Sequence, residues 1–423
     1  MSFKSVKFKN TKINIIDGDR GENYPSQNEY LEDGYCLFLN AKNVTDSGFK
    51  FNKTKFITKE KDDILRKGKL EKEDVVLTTR GTVGNVGFFT NGIPYKNIRI
   101  NSGMLIFRLE NHKEFLPEYI YWYFRSDLFQ NQIKQYVSGS AQPQLPVKTI
   151  NEMEILKPDI EVQKKIVKII SSVNKKVLNN NKMNKTLEEI AKTIYKSWFV
   201  DFEPFQDEKF IYNEKLKKEI PKSFSVSTIG KELRVELGGT PLRREGKYWE
   251  NGDINWIKSG KVNEFRIIEP SEYITQEGLE NSSTVLLPKG TVVIAITGAT
   301  LGQVSRLEIE SCANQSVVGV VESNEIPSEY IYLWLLHRIN VIIQKQTGGA
   351  QQHINKTNVK NSLLLLPPKK ELNKFIEIVR PIFNKITNNC FENQSLKELR
   401  DSLLPKLMSG EIRVPLEDEK EVK

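Results

Sequence analysis

Val75 to Val86 reads VVLTTRGTVGNV, and Val292 to Val304 reads VVIAITGATLGQV. Each is a short β-branched run that breaks into a glycine-containing polar loop, the pattern of a strand and the turn after it. Working outward, Asp33 to Val44 (DGYCLFLNAKNV) matches Asn251 to Val262 (NGDINWIKSGKV) at an offset of 218. Glu118–Tyr121 and Glu329–Tyr332 both read EYIY, 211 apart. SGSAQPQL from Ser138 matches TGGAQQHI from Thr347 at an offset of 209, which then holds onward. Small changes of offset are what loop insertions produce. The period far exceeds the roughly 20–50 residues of solenoids and propellers, so a whole unit has been duplicated.

Each unit has two textures. In the first part, Val75–Thr78 and Thr291–Ile296 read as strands, while Glu118–Gln135 and Glu329–Gln344 carry apolar residues at helical spacing. That part is an α+β globular domain. The second part is a long helix, from about Glu161 to Phe199 in the first copy. Alternating steps of four and three from Ile166 give Ile166, Ile170, Val173, Val177, Asn180, Asn184, Leu187, Ala191, Ile194 and Trp198. Adding 209 gives Phe375, Val379, Ile382, Ile386, Asn389, Asn393, Leu396, Arg400, Leu403 and Leu407. Both are heptad seams broken at the centre by two asparagines, and Arg400 is the other exception. One such stripe would fit a helix packed on its own domain; two in one register point to a coiled coil. Pro381 and Pro405 predict a kink or restarted turn in the second helix.

The expected fold is therefore α+β. It has two similar globular domains, separated by two long helices forming an antiparallel coiled coil, as a pseudo-two-fold internal repeat. The expected boundaries are 1–157 for the first domain, 158–205 for its helix, 206–221 for a linker, 222–368 for the second domain, 369–414 for the distal helix and 415–423 for a charged tail. A helix of about 40 residues spans roughly 60 Å, and antiparallel pairing would set the domains at opposite ends. In such a pair Asn180 faces Asn393 and Asn184 faces Asn389. A polar seam residue fixes register at a cost in stability.

Composition narrows the classes of function. With 423 residues, 38% hydrophobic and 28% charged, the chain can build packed cores. No apolar run approaches the roughly 20 residues of a membrane span, and the N-terminus lacks a signal-peptide core, so a cytoplasmic protein with no membrane partner is expected. The cysteines Cys36, Cys312 and Cys390 and the histidines His112, His337 and His353 form no metal-ligand spacing. A net charge of +9 fits a polyanionic partner, although solvated lysines would give the same total.

No P-loop, HExxH, GxSxG or adenine-methyltransferase Asn/Asp-Pro-Pro-aromatic motif occurs. Pro158-Asp159 followed by Glu161 faintly resembles a nuclease motif, but Gln163 stands where lysine is needed. That segment reads instead as the start of the long helix, with Asp159 as its N-cap. No catalytic residue and no metal ligand is assigned.

What remains are polar loops at equivalent places. The first loop offers Arg80, Thr82 and Asn85, matched by Thr297, Thr300 and Gln303. Glycines let backbone N–H groups approach phosphates, and Arg, Asn, Gln and Thr can hydrogen-bond base edges. The second loop offers Ser138, Ser140, Gln142 and Gln144, matched by Thr347, Gln351, Gln352 and His353, with Lys148 and Lys356 following for phosphates. The candidate DNA-contacting set also takes in Arg99 and Asn101 of the first copy and Arg243, Lys258, Asn314 and Gln315 of the second. A tight strand connection or a solvated loop is the alternative at each place. The frame repeats while its polar identities differ, as one scaffold reading two sequences requires.

The duplicated domain-plus-helix plan, the loops GSAQPQLP and GGAQQHI, and the helix tails KSWFVDFEPF and LRDSLLPKLMSGEIRV together resemble the specificity subunits of type I restriction–modification systems. Nearly the whole chain takes part in the resemblance, and the ending Leu404-Pro405-Lys406-Leu407-Met408-Ser409-Gly410-Glu411 is quite specific. The resemblance implies two target-recognition domains, each reading half of a bipartite, asymmetric site in double-stranded DNA. It implies that the helices dock two methyltransferase subunits, joined in the complete enzyme by motor-nuclease subunits. S-adenosylmethionine would then bind the methyltransferase, and this chain would hold no cofactor. Trp198, Phe199 and Phe202 at the end of one helix, and Leu404, Leu407 and Met408 at the end of the other, are expected to combine packing with docking. Two other classes stay open: a self-contained DNA methyltransferase or restriction enzyme, and a coiled-coil adaptor that binds only protein.

Overall fold

In the computed structural model, residues 3–137, 143–344 and 353–415 are described. The chain divides into two compact units, one formed by 1–176 with 396–423 and the other by 177–395. The two long helices contribute to both.

The first unit contains β1 (Ile13–Asp17), β2 (Cys36–Leu39), β3 (Phe56–Ile57), β4 (Val75–Thr78), β5 (Val86–Phe88), β6 (Ile98–Ile100) and β7 (Met104–Leu109), then α1 (Pro117–Arg125), α2 (Asp127–Val137) and the start of α3 (Ile160–Phe199). A four-stranded antiparallel sheet has the order β1-β7-β4-β5. A three-stranded sheet has the order β3-β2-β6, with β2 and β6 parallel. The second unit contains the end of α3, then β8 (Arg234–Leu237), β9 (Ile254–Ile257), β10 (Glu272–Ile274), β11 (Val292–Ala295), β12 (Val304–Arg306), β13 (Cys312–Ala313), β14 (Val317–Val321), α4 (Ser328–Ile343) and most of α5 (Lys369–Ser409). Its sheets, β8-β14-β11-β12 and β10-β9-β13, repeat both orders, including the parallel pair β9 and β13. The duplication in sequence is a duplication of topology.

Strand alternation explains the layers. Successive side chains of a strand point to opposite faces. Val75, Leu77, Leu105 and Phe107 join one core with Tyr119, Phe124, Phe129 and Ile166 of the helices. Val76, Met104 and Ile106 join another with Leu37, Leu39, Ile98 and Ile100 of the smaller sheet. In the second unit Val292, Ile294, Val318 and Val320 face the helices, while Val293, Ala295 and Val317 face Ile257, Ala313 and their neighbours. Each fully buried Val, Leu, Ile or Phe contributes about 1.5–3 kcal/mol.

The helical stretch expected at 118–135 is interrupted. Ser126 is extended (ψ 151°), and its Oγ donates to the Tyr123 carbonyl at 2.6 Å, a local bond that competes with helix continuation. Its counterpart α4 has no such break. Pro381 and Pro405 neither stop nor restart α5, which stays helical from Lys369 to Ser409.

Long helix and domain are tied within each unit. Gln163, fully buried, accepts from Leu116 N–H and donates to the carbonyls of Glu114 and Pro158, all at 2.9 Å. In the second unit Tyr332 donates its hydroxyl to Glu188 at 2.6 Å, beneath the buried Arg266 guanidinium.

None of the seam residues of α3 and α5 is exposed. Asn180 Nδ2 donates to Asn393 Oδ1 at 3.0 Å, and Asn389 Nδ2 donates to Asn184 Oδ1 at 2.8 Å. Asn393 also donates to Asn181 at 2.9 Å, and Asn180 to Glu392 at 2.8 Å. In the first unit Arg400 Nη1 donates to Asn174 at 3.3 Å. Numbers rise along α3 as they fall along α5. An amide donates and accepts, so opposed asparagines satisfy each other where one alone would not. The expected result for Asn184→Leu alone is a loss of about 1–3 kcal/mol, because buried Asn389 is left without its acceptor. Replacing Asn180, Asn184, Asn389 and Asn393 together by leucine should instead raise Tm. Thermal unfolding of both variants checks the pair of outcomes.

Candidate nucleic-acid interface

Two of the polar loops identified in the sequence meet in each unit. After β4 the chain turns through Gly81 (φ 74°) and Gly84 (φ 100°), and after β11 through Gly298 (φ 67°) and Gly302 (φ 82°). These left-handed positions favour glycine. A Cβ at Gly81 or Gly298 would meet nothing within 4 Å among the described residues. The hairpins close alike. Gly84 N–H donates to the Thr78 carbonyl at 2.9 Å, and Gly302 N–H to that of Ala295 at 2.8 Å.

The second loop returns to the first. Arg80 and Gln144 form an isolated antiparallel bridge, and Thr297 and His353 form its counterpart. Leu145 N–H donates to the Thr79 carbonyl at 3.0 Å, and Ile354 N–H to that of Ile296 at 3.1 Å. A third segment joins them. Thr79 N–H donates to Gly103 O at 2.8 Å, and Ile296 N–H to Ser316 O at 2.9 Å. Each unit thus gathers three connections into one backbone frame. Different side chains stand on it, with Arg80 and Gln144 opposite Thr297 and His353.

Arg80, Thr82, Gln144 and Lys148 are exposed, as are Gln303 and Gln315. Thr297, Thr300 and His353 are half-buried, and the Thr300 hydroxyl donates to the Thr297 carbonyl at 3.3 Å. Asn101 and Asn314 use their side-chain oxygens inside the frame, accepting from Gly103 N–H at 2.9 Å and Ser316 N–H at 3.1 Å. Asn85 spends its amide on the Val44 carbonyl at 2.8 Å. Lys356 pairs with Glu236 at 3.1 Å. Arg243 and Lys258 converge on Glu272, and the Arg243 guanidinium lies 3.6 Å from the Trp249 ring centroid. Ser138, Ser140, Gln142, Thr347, Gln351 and Gln352 lie outside the described residues.

Two expectations are corrected. Arg99 is 5% exposed. It pairs with Asp62 and donates to the carbonyls of Lys67, Asp62 and Leu65 at 2.7, 2.7 and 2.9 Å, so its donors are committed to the core. Five of the six helix-end residues expected to combine packing with docking are taken up by packing. Phe199 and Phe202 lie in the core of the second unit, and Leu404, Leu407 and Met408 in that of the first, all at most 3% exposed. Trp198 is partly buried against Phe199, Phe205 and Phe375. The other five side chains are committed to packing, while Trp198 keeps part of its surface.

Aligning the repeats on the strand before the frame would have drawn attention to Gly18 and Gly238. A Cβ there would come within 2.3 Å of Asn101 O and 2.1 Å of Asn314 O. Glycine lets β1 and β8 pass directly under the frame.

Burial alone would raise the Asp62 carboxyl, but hydrogen bonds from Lys69 and Arg99 outweigh it and hold the group below the usual 3.8. Its stabilising contribution is therefore present above that value and is lost as pH falls through the lower folded one. Arg99→Ala should cost about 3–5 kcal/mol by stranding a buried carboxylate. Urea unfolding checks it; a variant as stable as the parent would contradict the buried role.

Among the described residues no group of three or more His, Cys, Asp or Glu could hold a metal ion, and no helix is long and apolar enough to cross a membrane.

The family model for the type I restriction modification DNA specificity domain matches residues 8–189 and again 221–398. The chain is 31% identical over 351 residues to the type I restriction enzyme MjaIX specificity subunit of Methanocaldococcus jannaschii, covering 81% of this chain and 78% of that protein. It is 23% identical over 362 residues to the HindI specificity subunit of Haemophilus influenzae, covering 70% and 78%. Among solved structures, a type I restriction-modification system S subunit from M. genitalium aligns over 96% of both chains with a TM-score of 0.56. At 15% identity that likeness is one of fold.

Proposed function

Because the chain belongs to the type I restriction–modification DNA specificity family, we propose that it is the non-catalytic sequence-reading subunit of such a complex. Each unit reads one half of a bipartite, asymmetric site in double-stranded DNA. The observation that carries this is the repeated frame, Arg80 bridged to Gln144 and Thr297 bridged to His353, with one backbone and unlike polar side chains. Backbone N–H groups and lysines such as Lys148 suit phosphates, while Arg80, Gln144, Gln303 and His353 carry donors and acceptors that suit base edges.

The long helices form an antiparallel, pseudo-two-fold coiled coil in this reading. The asparagine layer is its register lock, and register sets how many unread base pairs separate the half-sites. Motor-nuclease subunits would join in a restricting complex. Catalysis and S-adenosylmethionine would belong to two methyltransferase subunits docked on the helices. The docking surface is drawn from exposed apolar residues, not from the buried helix ends. Met183 and Ile190, each 43% exposed and one heptad apart, share a stripe on α3. Met183→Asp with Ile190→Asp should abolish co-purification with the methyltransferase and leave the far-UV spectrum unchanged. Full retention of the complex would place docking elsewhere.

Exchanging residues 1–155 for the matching segment of a relative tests the modular reading. Mapped by genomic adenine methylation, the hybrid should change one half of the site and keep the other. A hybrid that changes both halves would show that the units read DNA jointly.

A further inference from the structure

The first unit holds a second guanidinium beside Arg80 that the loop motifs do not contain. Arg20 follows β1, on a turn pinned from several sides. Gly18 passes under Asn101, as described above. Asp19, 9% exposed, accepts from Gly21 N–H at 2.9 Å and Arg66 N–H at 2.8 Å. The hydrogen bond from Gly21, with others from neighbouring backbone, keeps the Asp19 carboxyl below its ordinary range, against burial. The Arg20 Nη2 lies 2.9 Å from Asp17 Oδ2 and 3.1 Å from Oδ1, and donates to the Ser102 carbonyl at 3.3 Å. Those contacts engage one nitrogen of a fork that carries five N–H donors. Arg20, Arg80, Gln144 and Asp17 line one open recess of about 180 Å³.

We propose that Arg20 is a specificity-determining residue of the first unit, presenting its guanidinium to a guanine in the major groove beside Arg80 and Gln144. This rests on the DNA-recognition reading above. Two sources of acceptor could meet an arginine here, a phosphate or a base edge, and the surroundings separate them. The Asp17 carboxylate beside the fork repels a phosphate, whereas guanine O6 and N7 are neutral acceptors. Two-point reading of guanine also needs the planar fork aimed before contact, and Asp17 and the pinned turn supply that orientation. In the second unit the equivalent position is Thr240, whose hydroxyl bonds to the Gln315 side chain. There the carboxylate-held guanidinium is Arg243, paired with Glu272 and stacked on Trp249. A carboxylate-held guanidinium thus stands at a different place in each unit, as two unlike half-sites call for.

The test uses the full chain, the duplex it selects, and a set of duplexes with each base pair replaced in turn. Arg20→Ala should reduce the preference for one G·C pair in the first half-site by roughly 5- to 150-fold. The ranking elsewhere, including the whole second half, should stay as in the parent, which also shows that the variant is folded. Arg20→Lys, which keeps the charge but not the fork, should lose the same discrimination while binding more tightly than Arg20→Ala. A uniform loss across all sequences would make Arg20 a backbone contact and overturn the proposal. An unchanged ranking at every position would overturn it equally. If the parent itself ranks all duplexes alike, the DNA-recognition reading fails and Arg20 falls with it, a result the variant data cannot mimic.

Discussion

Strands β4 and β7 in the first unit, and β11 and β14 in the second, have little solvent-facing surface. Their side chains enter the helix-facing core and the core of the smaller sheet in alternation. A one-residue slip would turn every side chain to the wrong layer, so register is held on both faces at once. The loops at the ends of these strands inherit that precision. Thr79, Gly103 and Leu145 are joined by backbone bonds, as are Ile296, Ser316 and Ile354, with Asn101 and Asn314 bracing the middle segment. The side chains that help hold the frame, Asn101 and Asn314, are alike in the two units, while Arg80, Gln144, Thr297 and His353 are free to differ.

This separation of duties explains what could be read from the sequence. The β-branched run at Val75–Thr78 is a strand with those same bounds, and the shared loop motifs mark the two segments that come together. Counting heptads was enough to pair Asn180 with Asn393 and Asn184 with Asn389, because a helical seam is a local pattern and antiparallel pairing is simple arithmetic. The failures share a cause. Arg99 looked like a surface arginine because its partner, Asp62, is 37 residues away in sequence. Leu404, Leu407 and Met408 looked available because the core that covers them is formed by residues near the other end of the chain. Arg20 carries no motif; only its place beside Arg80 gives it meaning. Ser126 broke a helix through a single hydroxyl contact that periodicity cannot register.

Charge also divides by environment. The buried ions, Arg99 with Asp62 and Arg266 with Glu188 and Glu308, organise each unit from within. Such groups are costly unless paired. The exposed cations around the frames are the ones with a surface to offer a polyanion. The net charge of +9 is therefore informative only after its members are sorted this way.

In the proposed function, two copies of one frame read two unlike half-sites. Selection of duplexes from a random library by the full chain bound to its methyltransferase tests it most directly. The expected outcome is one enriched site with two different short halves at a fixed separation. A single contiguous motif, two identical halves, or no enrichment over random sequence would contradict it.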